Sequence, residues 1–126
     1  MSADPAYMDR LRRLSMSDRR FLDEVLSAGD DPGARSGIQV LDARTRALVK
    51  VAALVALDGP PSAFEYAIAA AQANGATPDD IVDAMVAIAS TVGSSHLVSA
   101  APKVAMALGY DVSADLERLD PAATAS

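Results

Sequence analysis

The sequence predicts an all-α protein built from antiparallel helix hairpins. Three observations carry this. Capping and breaking residues divide the chain into segments of helical length. Within those segments apolar residues recur at helical spacing, as in Phe21, Leu22, Val25 and Leu26. Nothing alternates with a period of two, and β-branched residues are too few for a defensible strand.

Met8, Leu11 and Leu14 have helical spacing and leave a short first helix open. Ser17 is the expected N-cap of the next helix, with Asp18 in its first turn and Gly29 as its stop. The stretch DDPGARSG reads as a loop. Asp42 caps a helix that runs to Leu57 without a breaker, and from Ala47 onward only Lys50 is polar. A helix that is apolar nearly all round is usually central. DGPP ends it. Pro61 or Ser62 opens an alanine-rich helix, and Gly75 takes the position of a left-handed stop. Thr77-Pro78-Asp79-Asp80 is a strong start signal, with Thr77 as cap and two carboxylates at the positive end of the helix dipole. Ile81, Met85, Ile88 and Ala89 form its apolar stripe, and Gly93-Ser94-Ser95 breaks the chain again. The last long helix carries Leu97, Val98, Val104, Ala105 and Leu108 and stops at Gly109. Pro102 implies either a kink or a restart. Met85 and Met106 both read as core. Ser113 is the expected cap of a short helix through Leu119, followed by a frayed tail.

Composition removes several function classes. The chain has 126 residues, no cysteine and one histidine, so thiol chemistry and a multi-histidine metal site within one chain are excluded. A formal net charge of −6 argues against nucleic-acid binding. The N-terminus lacks the apolar region of a secretory signal, and no apolar run is long enough to span a bilayer. A cytoplasmic protein without metal or cofactor is expected. The arginines at 10, 12, 13, 19 and 20 read as a solvated helix face rather than a membrane or nucleic-acid patch.

A near-apolar helix, a short loop, an alanine-rich helix, then NGATPDDI and Gly93 at a set interval form a pattern. It resembles the carboxymuconolactone decarboxylase family, which includes the alkylhydroperoxidase D-like proteins, over roughly residues 41–109. The resemblance implies a single all-helical domain, with residues 1–40 as an N-terminal helical extension and 110–126 as a short helix and tail. It also implies trimers or hexamers, and a cleft beside the alanine-rich helix. Redox members carry two cysteines three residues apart and a histidine four residues on. Counted back from Gly75, those positions hold Pro60, Ala63 and Ala67. The family's glutamate falls on Ala47, or on Leu48 with a one-residue slip, while Arg46 is retained. Cysteine-dependent peroxide reduction is therefore ruled out, and the usual decarboxylase arrangement is missing.

Helical geometry puts Ala63, Tyr66, Ala67 and Ala70 on one face, with Glu65 about 160° from Ala67 and pointing away. Three alanines leave room for a small molecule beside one phenol. His96 is the only side chain whose ordinary pKa lies near neutrality, and the resemblance places its helix start near the cleft. Arg44 and Arg46, in the first turns of the core helix, suit an anionic substrate. Guanidinium groups so placed more often pair with acids across a subunit boundary, and that structural role is the preferred reading of both. Two readings remain open. One is a cofactor-independent lyase, isomerase or cyclase acting on a small organic acid or ketone, with His96 and Tyr66 catalytic and Arg46, Ala63, Ala67 and Ala70 lining the substrate. The other is a non-catalytic oligomer or ligand binder.

Overall fold

Turn geometry explains where each helix starts and stops. The computed structural model describes residues 5–28, 40–110 and 117–119. The chain divides into two compact units, Met1–Leu41 and Asp42–Ser126. Among the described residues every regular element is helical.

In the first unit, α1 (Ala6–Ser15) and α2 (Arg19–Ala28) pack together. The turn between them corrects the expected cap. Ser17 adopts a left-handed backbone with φ 54°. The amide of Asp18 reaches back to the Arg13 carbonyl at 2.9 Å, closing α1 in the manner of a Schellman motif. Asp18 then caps α2 by accepting the Phe21 amide on Oδ1 at 3.2 Å. Both serine and aspartate suit an N-cap. The left-handed turn uses one residue to end α1, which moves the cap one position along. Gly29, the DDPGARSG loop and Ser113 lie outside the described residues. Residues 117–119 are helical.

The second unit holds α3 (Ala43–Leu57), α4 (Pro61–Ala73), α5 (Pro78–Ala87), α6 (Ala89–Val92) and α7 (Ser94–Ala107). Asp42 caps α3 by accepting the Thr45 amide at 2.7 Å. Pro61 takes the first position of α4, where its missing N–H costs nothing. Gly75 has φ 92° and follows the last turn of α4, and the Ala76 amide bonds the Ala71 carbonyl at 2.9 Å. Thr77 and Asp80 form a reciprocal capping box at the start of α5. Helix α7 runs unbroken through Pro102, which resolves the kink-or-restart alternative in favour of one helix.

α4 packs against both α3 and α7, and α5 packs against α3. Val51, Val55, Phe64, Ile68 and Ile81 are fully buried at the centre, joined by Met85, Ala100 and Val104. At about 25 cal/mol per Å² of apolar surface, each such large side chain contributes about 1.5–3 kcal/mol. Two sequence expectations change here. α3 buries one stripe, Ala47, Val51 and Val55, while Val49 is exposed and Leu57 is 78% exposed. It is not covered all round in one protomer. Met106 is 69% exposed rather than core, because it lies about 160° round the helix from buried Val104.

Candidate functional site

The connection from α3 to α4 positions an unexpected polar cluster. Asp58 follows α3 in a left-handed conformation, φ 55° and ψ 52°. Aspartate tolerates this region better than most residues. The next amide, Gly59, closes α3 by bonding the Leu54 carbonyl at 2.9 Å. Gly59 is itself buried, and a Cβ there would meet Leu54 Cδ2 at 2.9 Å. The chain thus comes close to α3 before α4 begins.

From this turn the Asp58 carboxylate reaches α7. Ser99 Oγ donates to Asp58 Oδ1 at 2.8 Å, and Lys103 Nζ lies 3.1 Å from the same oxygen. Lys103 also donates to the Gly59 carbonyl at 2.8 Å, and its ammonium sits 5.8 Å from the centre of the Phe64 ring. One side chain therefore ties the turn, the carboxylate and the core together. The Ser99 hydroxyl, followed by Lys103, holds the Asp58 carboxyl below the usual carboxylate range, and His96 adds a smaller pull in the same direction.

His96 belongs to this cluster by register. At 100° per residue, His96, Ser99 and Lys103 fall within an arc of about 60° on α7. The stripe borders the buried residues Ala100 and Val104. His96 is half-buried, and among the described residues its Nδ1 is buried without a hydrogen-bond partner. Buried polar atoms are nearly always matched, so this nitrogen is an exception among the described residues.

The other expected site residues are spread along the helices. Phe64, Ile68 and Ala71 are the buried face of α4. Ala63, Ala67 and Ala70 flank that face and are half-buried, with Ala67 packed against the core. Tyr66 lies about 160° from Phe64 and is 72% exposed, so its phenol faces outward in one protomer. Glu65 is exposed as well. Arg46 stands at the start of α3, twelve residues and therefore about 18 Å along the helix axis from Asp58. It is placed beside the Ala70 end of the α3–α4 hairpin, whereas Ala63 is beside the Asp58 end. Arg44 has its partner within the same chain: its Nη2 lies 2.7 Å from Asp80 Oδ2. The Thr77 backbone amide and then Arg44 lower the Asp80 carboxyl to about 2.

Asp58, Ser99 and Lys103 were not among the residues singled out by sequence reasoning. One signal was present: His96, Ser99 and Lys103 form a polar stripe at i, i+3 and i+7 on a helix that is otherwise apolar after Ser95. Asp58, the partner that Ser99 and Lys103 share, lies 41 and 45 residues from them, where no local pattern points to it.

The first unit has a separate groove of about 410 Å³ lined by Arg13, Asp18, Arg20, Phe21 and Glu24. Its charges are already engaged. Arg13 pairs with Asp9 at 3.1 Å and covers the Phe21 ring, while Arg20 lies 4.0 Å from Glu24. Among the described residues no group of acidic, histidine or cysteine side chains is placed to hold a metal ion, and no helix is long and apolar enough to cross a membrane.

An all-helical core whose central hairpin is crossed by a later helix defines a class of fold. The model of the carboxymuconolactone decarboxylase family matches residues 33–106, more than half of the chain. The chain belongs to that family. No curated protein and no solved structure matches it.

Proposed function

We propose that this protein handles a small molecule by proton transfer at His96, as a cofactor-independent lyase, isomerase or cyclase acting on a small organic acid or ketone. The carrying observation is the buried Nδ1 of the only histidine, which has no hydrogen-bond partner among the described residues, on the same helix face as the two residues that hold Asp58. An imidazole suits this work because it exchanges protons near neutral pH. The chain has no cysteine, so a thiol mechanism is not available to it. The half-buried Ala63 and Ala67 would form the apolar wall, at the Asp58 end of the hairpin. Tyr66 and Arg46 would take part where a second copy brings them to this end.

Assembly into a homo-oligomer belongs to the same reading. The outer stripe of α3, with Val49 and Leu57, leaves apolar surface exposed opposite the core stripe. Native mass spectrometry of the purified protein tests assembly and ligand together. A trimer or hexamer that releases a defined organic mass on collisional activation supports the reading, and a bare monomer counts against it. Any activity found from that mass should fall at least about a hundredfold in His96→Ala, the usual scale of one general acid–base group.

A specific observation favours the alternative, a non-catalytic binder or oligomer. Ala67 packs against the core while Tyr66 turns outward, which suits close helix packing by the alanine face. On that reading His96→Ala leaves both the assembly and any co-purified mass unchanged.

A further inference from the structure

We propose that the apolar face of α1 docks on the acidic outer face of α5 in a second copy of the chain. The family match begins at residue 33 and leaves α1 outside it, so this contact is additional to the family core. It rests on the homo-oligomer part of the reading above and on none of its chemistry.

α1 is an amphipathic helix whose apolar side is exposed. No residue of it is buried. Tyr7, Met8, Leu11 and Leu14 are all exposed and fall within an arc of about 120°. Arg10 and Arg12 stand about 40° beyond either edge of that arc. Arg12 and Arg13 share the one acid of the helix, Asp9. Three arginines against one aspartate leave α1 with a formal charge of +2.

Such a face is complemented by an apolar surface edged with acids. Of the helices α3 to α7, α3, α6 and α7 contain no acid, and α4 contains only Glu65. α5 contains Asp79, Asp80 and Asp83 and no basic residue. Its outer side presents Asp79, Val82, Asp83 and Val86 within an arc of about 100°, all of them exposed. Asp80 is paired with Arg44, whereas Asp79 and Asp83 have no ion pair among the described residues. Valines beside unneutralised carboxylates therefore match leucines beside arginines. An anionic lipid surface would attract the same arginines. The chain as a whole carries −6, which repels such a surface, while every further copy brings the acidic face with it. One helix of 10 residues is a small contact. In a twofold pair each copy gives one α1 and receives one, which doubles the buried area toward the roughly 1,200–2,000 Å² of stable interfaces.

Charge reversal on both faces tests this in the tag-free full chain. Native mass spectrometry and sedimentation velocity at low ionic strength compare the wild type with two variants, Arg10→Glu/Arg12→Glu and Asp79→Lys/Asp83→Lys. Each variant sets like charges on both faces, so each should associate about tenfold more weakly or worse. Mixed in equal amounts, the two variants complement each other at both contacts and should reassemble as mixed complexes resolved by mass. Asp79→Asn/Asp83→Asn, which adds no positive charge at the start of α5, should show the same weakening in smaller measure, with the helices checked by circular dichroism. A monomeric wild type, variants that assemble like the wild type, or a mixture that stays dissociated overturns the proposal. A monomeric wild type that sediments with phosphatidylserine vesicles overturns it in favour of a lipid surface. Assembly unchanged in both variants leaves the homo-oligomer standing and removes only this contact. Assembly that is lost in each variant and restored in the mixture, in a protein without His96-dependent activity, upholds the contact and counts against the catalysis.

Discussion

Replacing Phe64 by leucine tests whether the core and the polar cluster are energetically joined. Phe64 is fully buried in α4, and the Lys103 ammonium lies 5.8 Å from its ring centre. Leucine keeps the site apolar, and a hydrophobic swap of this kind costs up to about 1.5 kcal/mol. Loss of the ring beneath a partly desolvated ammonium adds about 0.5–1 kcal/mol. The full chain should therefore lose about 2 kcal/mol, a large share of the 5–15 kcal/mol typical of a domain. Urea unfolding followed by circular dichroism reads this as a lower midpoint at unchanged slope. The decisive comparison repeats Phe64→Leu in a Lys103→Leu background. With the ammonium gone, the ring replacement should cost about 0.5–1 kcal/mol less, and that difference is the coupling. Additivity within about 0.3 kcal/mol would show that the ammonium–ring contact carries no energy, and would refute the link drawn from geometry.

Three further outcomes follow from the turns and caps. Thr77→Ala removes the side chain that accepts the Asp80 amide at 3.1 Å, and should lower stability by about 1 kcal/mol in the same urea assay. Gly75→Ala should destabilise by about 1 kcal/mol although nothing lies within 4 Å of the added Cβ, because the cost is the backbone at φ 92°. Asp80 gives a pH dependence: its carboxyl is lowered to about 2 in the fold, against about 3.9 in an unfolded chain. A depressed folded value means that the stabilisation is present above pH 3.9 and is lost as pH falls toward 2. Asp80→Asn should therefore flatten the acid limb of the stability profile between about pH 4 and pH 2, and Arg44→Met should do so in part.

How much could be read without coordinates varies with distance along the chain. Asp42, Thr77 and Gly75 act on amides or carbonyls within a few residues, so their roles were legible as capping chemistry. Ser17 and Asp18 are a local case that the same chemistry does not decide. Either can cap, and a left-handed turn selected the second. The apolar run of α3 marked a central helix correctly, yet periodicity could not say that Val49 and Leu57 would remain uncovered in one protomer. Met106 shows the same limit, since an apolar residue has no marker for which way it will face.

The helical class, the breaks between helices, the family pattern and the lack of a thiol are all written in the residues themselves. Each depends on residue identity or on spacing within a turn or two. Which residues come together in space follows from packing alone. It placed Arg46 and His96 toward opposite ends of the α3–α4 hairpin, because a rigid helix separates its ends by about 1.5 Å per residue. It also brought Asp58 to Ser99 and Lys103 across more than forty residues. That contact exists because α7 packs on α4 and faces the turn where α3 ends, a consequence of packing that no stretch of sequence contains on its own.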